Sequence, residues 1–300
     1  MVGFIAKNRC KDYACSLFLA LGLLQSPSYA QAAEDFAEIQ QSAEQGNINA
    51  QFILGYDYGT GTGVRQDAQQ AVFWFRKAAE QGHAKAQLFL GASYADGNGV
   101  EKDAKQAVIW FRKAAEQGNA QAQLYLGERY TNGIGIAQDA QQAVTWFRKA
   151  AEQGNVKAQY ILGFSYFAGS GVAKNDKQGV IWIRKAAQQG DAPAQLLLGG
   201  SYADGRGVAQ NMQQAVTWFR KAAEQGNAQA QFYLGESYCR GKGIARDNTQ
   251  GYVWLSVAAA NGEEKAVELR NFMAKQLSES ELAAAQKLAG QYFKKYQLNL

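Results

Sequence analysis

Small and apolar residues fall at helical intervals along this chain, and the intervals themselves recur. Between residues 47 and 82, Ala50, Leu54 and Tyr58 stand at i, i+4 and i+8, one stripe of a first helix, A, with Gln51 and Gly55 beside it. A second stripe, Ala71, Trp74, Phe75, Ala78 and Ala79, is spaced by threes and fours and predicts a second helix, B. Gly61 and Gly63 between them supply a turn where positive φ costs little. Asp67, with Gln70 three residues on, predicts a capping box at the start of helix B, and Gly82 marks its end.

The pattern then returns in steps of 36 residues without an insertion. Trp74, Trp110, Trp146, Trp182, Trp218 and Trp254 keep the step, as do the Leu-Gly pairs from Leu54-Gly55 to Leu234-Gly235 and the tyrosines from Tyr58 to Tyr238. Six units over residues 47–262 therefore predict a solenoid, in which no hairpin buries its apolar face alone. Gly55 leaves room on helix A, expected to hold the indole of Trp74 or of the neighbouring unit's Trp. Truncating a buried indole such as Trp146 should cost about 3–5 kcal/mol.

L-G-x-x-Y, then G-x-G-V or G-x-G-I, an Asp, A-V-x-W-F-R-K-A-A and a closing Gly resemble the Sel1-like repeat family, related to tetratricopeptide repeats. Gly179 and Gly251 depart from the Ala of helix B, and Val257 from its Lys, which weakens single helices. The resemblance implies an all-α fold, an α/α superhelical solenoid of helix-turn-helix repeats with helix A lining a concave surface, and a non-enzymatic scaffold that binds a partner protein or peptide. Residues 31–46 read as an N-terminal cap helix and 263–300 as C-terminal capping helices.

Composition narrows the function. A 47% hydrophobic, 19% charged chain folds rather than staying disordered. Its net charge of +5 over 300 residues is too dilute for a nucleic-acid footprint. Residues 1–30 have the form of a cleaved signal peptide: Lys7, Arg9 and Lys11, an apolar run from Ala14 to Leu24, and Ser28-Tyr29-Ala30. Only Cys239 lies beyond it, so no intramolecular disulfide is expected, and no N-x-S/T sequon occurs. These features predict a soluble, monomeric bacterial protein, periplasmic or secreted.

Candidate chemistry is sparse. His83, the single histidine, stands where other units carry Asn119, Asn155 and Asn227 and is read as a helix cap, with no metal or other cofactor expected. No glycine turn continues into a P-loop, and no serine has Lys three residues later, as the nucleophile of penicillin-recognising enzymes would. A β-lactam or peptidoglycan hydrolase is the least supported alternative. Arg76-Lys77 and its copies could bind an envelope glycan or anionic lipid; the plainer reading is a solvated face whose arginines meet Glu80, Glu116, Glu152 and Glu224 at i+4. Function is expected at the variable positions of helix A. There Tyr56, Phe89, Tyr125, Glu128, Phe164, Tyr233 and Glu236 set aromatic anchors beside carboxylates, suited to a peptide or helix.

Overall fold

The structure, a computed structural model, describes residues 29–297. The leader expected over residues 1–30 lies outside them but for Tyr29 and Ala30, the first residues of α1. Fifteen helices and no strand are found among the described residues. They divide into two compact units, the first ending at Asn155 and the second beginning at Val156. The first holds α1 (Tyr29–Glu44) and three hairpins, α2 (Ile48–Thr60) with α3 (Ala68–Glu80), α4 (Ala84–Asp96) with α5 (Ala104–Glu116), and α6 (Ala120–Asn132) with α7 (Ala140–Glu152). The second holds α8 (Val156–Ala168) with α9 (Asp176–Gln188), α10 (Ala192–Asp204) with α11 (Met212–Glu224), and α12 (Ala228–Arg240) with α13 (Asn248–Ala260), followed by α14 (Lys265–Ala274) and α15 (Glu279–Tyr296). Within each unit successive hairpins stack, each helix on its chain neighbours, so the fold class is the all-α solenoid of helix-turn-helix repeats.

Each hairpin is closed by the same few bonds. Gly61 is left-handed, at φ +80°, and its N–H donates to the Asp57 carbonyl to end α2. Asp67 then caps α3, its side chain accepting from the N–H groups of Gln69 and Gln70. The reciprocal half of the expected capping box is replaced, because the Asp67 N–H donates to the Tyr58 carbonyl at 2.8 Å. Asp103, Asp139, Asn175, Asn211 and Asp247 do the same to Tyr94, Tyr130, Tyr166, Tyr202 and Tyr238. The cap N–H thus ties helix B to helix A, leaving nothing for the glutamine to satisfy. The second glycine of the turn serves stacking: a Cβ on Gly99 would strike the Ala68 carbonyl at the start of α3, in the preceding hairpin.

Small residues set the packing inside a hairpin, though not as the sequence suggested. The space above Gly55 is filled by Phe75, whose ring would lie 2.7 Å from a Cβ there, rather than by an indole. Phe111, Phe147 and Phe219 occupy Gly91, Gly127 and Gly199 in the same way. The two helix-B glycines are also compensations. Gly179 faces Phe167 and Gly251 faces Cys239, where the second hairpin has Ala107 and the smaller Ala95 at the equivalent positions, both buried.

A polar seam runs between hairpins. Gln87 is buried, donates to the Ala79 carbonyl at 3.0 Å and accepts from Gln117 at 2.7 Å. Gln51, Gln123, Gln195 and Gln231 repeat the donation to Ala43, Ala115, Ala187 and Ala223, the last carbonyls of the preceding helix. Each amide therefore satisfies a helix end that its neighbour leaves open.

The last hairpin is covered differently. Ser278 and Glu281 form a full capping box that starts α15. Tyr292 and Tyr296 of α15 pack on Trp254 with ring centroids 5.2 and 5.4 Å away, and the Tyr296 carbonyl accepts from Gln231 and Asn261. At the other end Ala43, Phe36 and Ile39 of α1 pack with Leu54 and Trp74.

Candidate functional site

The helix-A positions expected to carry function do not share one environment. Phe89 is 4% exposed and stacks on Phe75 at 5.1 Å, and Tyr125 is 6% exposed and packs on Phe111 at 5.3 Å. Burial pushes the Tyr125 hydroxyl up to about 12. Both belong to the core, which corrects their expected role as anchors: each ring lies over the phenylalanine of the preceding hairpin and is sealed there. Tyr56 is half-buried and set edge-on to Phe89 at 6.1 Å, and Glu128 is half-buried beside Tyr125. In the first unit these residues make a packed wall.

In the second unit the same face opens. Phe164 on α8 is 47% exposed, Tyr233 on α12 stacks against Phe219 at 5.1 Å, and Glu236 pairs with Arg240 at 2.9 Å. All three line a cavity of about 590 Å³, together with Tyr160, Leu196 and Gly200. The gap exists because Gly200 stands where the neighbouring helices carry Phe164 and Glu236, and nothing lies within 4 Å of where its Cβ would be. Gly200 is the smallest member of the variable series at this position, so the space comes from a side chain that is missing. Asp204 and Lys242 sit on the rim, outside the Glu236–Arg240 pair. Aromatic walls with a few charges at the edge suit an apolar side chain presented by a peptide.

The basic ladder is engaged in the fold. Arg76, Arg112, Arg184 and Arg220 donate to the hydroxyls of Tyr94, Tyr130, Tyr202 and Tyr238 on the following hairpin, at 2.9 to 3.2 Å, and for Arg76, Arg112 and Arg220 the tyrosine takes the place of the expected glutamate. Lys77, Lys113, Lys149, Lys185 and Lys221 lie over the rings of Trp74, Trp110, Trp146, Trp182 and Trp218 at 4.0 to 5.2 Å. His83 caps α4, its Nδ1 accepting from the Ala86 N–H at 3.1 Å, and stacks on Phe52. Burial, with Lys85 nearby, pushes its pKa down. Burial pushes the Cys239 thiol up to about 11. Among the described residues no group of three or more His, Cys, Asp or Glu side chains could hold a metal ion, and no helix is long and apolar enough to cross a membrane.

Comparison with known proteins agrees with this architecture. A Sel1 repeat protein from Oxalobacter formigenes is 35% identical over 78% of this chain and 97% of its own, with a TM-score of 0.63. A protective antigen of uropathogenic Escherichia coli displaying an SLR fold is 34% identical over 88% of this chain and 72% of its own, with a TM-score of 0.40. An immunity protein from Pseudomonas aeruginosa is 21% identical over 94% of this chain and 88% of its own, with a TM-score of 0.38. None of the curated proteins compared with the chain matches it. The Sel1 repeat model matches six consecutive stretches, 48–83, 84–119, 120–155, 156–191, 192–227 and 228–263, which frame the six hairpins described above, and the chain belongs to the Sel1 repeat family.

Proposed function

We propose that this protein is a non-catalytic scaffold that binds a partner protein through the helix-A face of its second unit, where a peptide places an apolar side chain in the cavity over Gly200. One observation carries the reading: an exposed Phe164 and the opposing Tyr233 and Glu236 flank a gap left by a missing side chain, on a face where the first unit buries Phe89 and Tyr125. The ladder supports an envelope glycan or lipid less well, since its arginines and lysines already have tyrosine and tryptophan partners. The leader-like residues 1–30 support export to the periplasm or beyond, which cell fractionation of the natural host checks.

A photo-crosslinking residue at Phe164, in the full chain expressed in that host, should trap a discrete partner. Gly200→Phe fills the cavity from a half-buried position with nothing within 4 Å of the new Cβ, and should abolish the crosslink while leaving helicity and melting temperature unchanged. A crosslink that persists in Gly200→Phe would refute the assignment.

A further inference from the structure

Three departures from the repeat meet at one place in the second unit. Phe167 stands where the other hairpins carry Gly, Ala, Thr or Cys, Asp176 where they carry Ala, Met or Asn, and Arg206 where the sixth hairpin alone keeps a cation, Lys242, with Met212 in place of the carboxylate. Arg206, in the turn after α10, reaches back to the preceding hairpin. Its Nε lies 3.1 Å from a carboxylate oxygen of Asp176 at the start of α9, its Nη2 donates to the Phe167 carbonyl near the end of α8 at 2.9 Å, and the guanidinium lies 4.3 Å over the Phe167 ring. One cation therefore meets a carbonyl in the last turn of one helix and a carboxylate in the first turn of the next. Gly179 makes the room that the Phe167 ring needs. All of this lies beside the cavity over Gly200: Phe164 is one turn before Phe167 on α8, and Ala203 and Asp204, which line the cavity, end α10 just before Arg206. In the first unit rings hold the equivalent wall, with Tyr56 edge-on to Phe89 of the next hairpin at 6.1 Å. The corresponding pair in the second unit is Phe164 and Leu197, and Phe164 is 47% exposed.

On the reading that this cavity is the binding site, we propose that Arg206, Asp176 and the Phe167 carbonyl form an ionic latch that fixes α8 against α10 and sets the width of the cavity, making binding there sensitive to ionic strength. A wall that lacks a side chain loses contacts across the gap, and neighbouring helices relax toward it unless something else spaces them. The latch spaces them from the turn edge, outside the cavity, so it holds the walls without filling the space. Its side chains are 40% and 32% exposed, within reach of dissolved ions, so the charge attraction weakens as salt rises.

The test places 4-fluorophenylalanine at position 164 of the full chain and follows its fluorine resonance together with hydrogen exchange of α8 and α10. In the natural sequence, raising salt from about 0.05 M to about 1 M should move the resonance and speed exchange at the end of α8 by about two- to fivefold. Asp176→Asn, which keeps the side-chain shape and removes the charge, should give the high-salt resonance and exchange already in low salt and respond no further, with exchange of α12 and α13 unaltered. Arg206→Gln should do the same, and the two substitutions together should do no more than either alone. A salt response that survives Asp176→Asn, or effects of the two substitutions that add, overturns the latch. The photo-crosslink from position 164 should fall at least twofold in Asp176→Asn, and an unchanged yield overturns the latch's role at the site. Absence of any crosslink in the natural chain counts against the site alone, because the resonance and the exchange need no partner.

Discussion

Gly179 and Phe167 offer the sharpest test of the packing logic, because one substitution should change sign with its background. Replacing Gly by Ala inside a helix normally stabilises it by about 1 kcal/mol. In Gly179→Ala the new Cβ would lie 2.8 Å from two carbons of the Phe167 ring and 3.1 Å from the Gly163 carbonyl oxygen. The ring has little room to retreat, being 4% exposed with the Arg206 guanidinium 4.3 Å over its centroid. Overpacking of this kind costs about 1–3 kcal/mol, so Gly179→Ala should be neutral to destabilising by about 2 kcal/mol in the natural chain. Phe167→Ala alone should cost about 3–5 kcal/mol. Within the Phe167→Ala background the overlap with the ring is gone and only the Gly163 carbonyl approach remains, so Gly179→Ala, which gives the alanines that the second hairpin has at 95 and 107, should now stabilise by up to about 1 kcal/mol. Hydrogen exchange by mass spectrometry on peptides from α8 and α9 is the suitable readout, because stacked hairpins open locally before they unfold globally. Gly179→Ala that increases protection in the natural background, or acts equally in both, would refute the reasoning.

Three further outcomes follow from other contacts. Burial raises the Asp57 carboxyl from 3.8 to about 6, so the stability it contributes is full below about pH 3.8 and lost as pH rises through 6; Asp57→Ser, the residue found at the equivalent positions Ser93 and Ser201, should gain about 1–2 kcal/mol at pH 7 and little at pH 4. Equal gains at both pH values in exchange of α2 and α3 would contradict this. Gln123→Leu removes the acceptor for Gln153 and the donor to the Ala115 carbonyl, and should lower protection on both sides of the seam by about 1–3 kcal/mol, which the exchange of α5 and α7 amides measures. The Cys239 thiol, buried with its pKa at about 11, should resist a disulfide reagent at pH 8 in the folded chain and react fully in denaturant.

Features fixed by local chemistry were readable from the sequence, and features fixed by a neighbouring hairpin were not. Asp67 as a cap and Gly82 as a terminator depend on residues within one turn, and both stand as expected. Arg76 shows the limit. The i+4 rule offers Glu80, while the bond goes to Tyr94, 18 residues away on the next hairpin. Gln51 and Gln81 are 30 residues apart, and a helix glutamine reads as a surface residue until it is seen to meet a buried carbonyl. The signal was Gln at this position in all six units, a constancy that a solvated face does not need. Phe89 and Phe164 could not be told apart for a related reason. Both are helix-A aromatics, but Phe89 lies on Phe75 of the preceding hairpin whereas Phe164 borders the space above Gly200.

Repetition also explains where function can be held in such a chain. The Trp, Tyr, Arg, Lys and Gln of each unit are committed to one another, through Arg–Tyr bonds, Lys over Trp and the glutamine seam, so a change at any of them loosens the stack. Recognition must then fall to positions that the stack leaves free, and the structure has two kinds. Some are gaps, such as Gly200, where a missing side chain opens a wall. Others are faces that one hairpin covers and another leaves bare, as Val253 under α15 differs from Phe73. Both present apolar shape rimmed by charge, the combination on which the proposed binding of a partner rests.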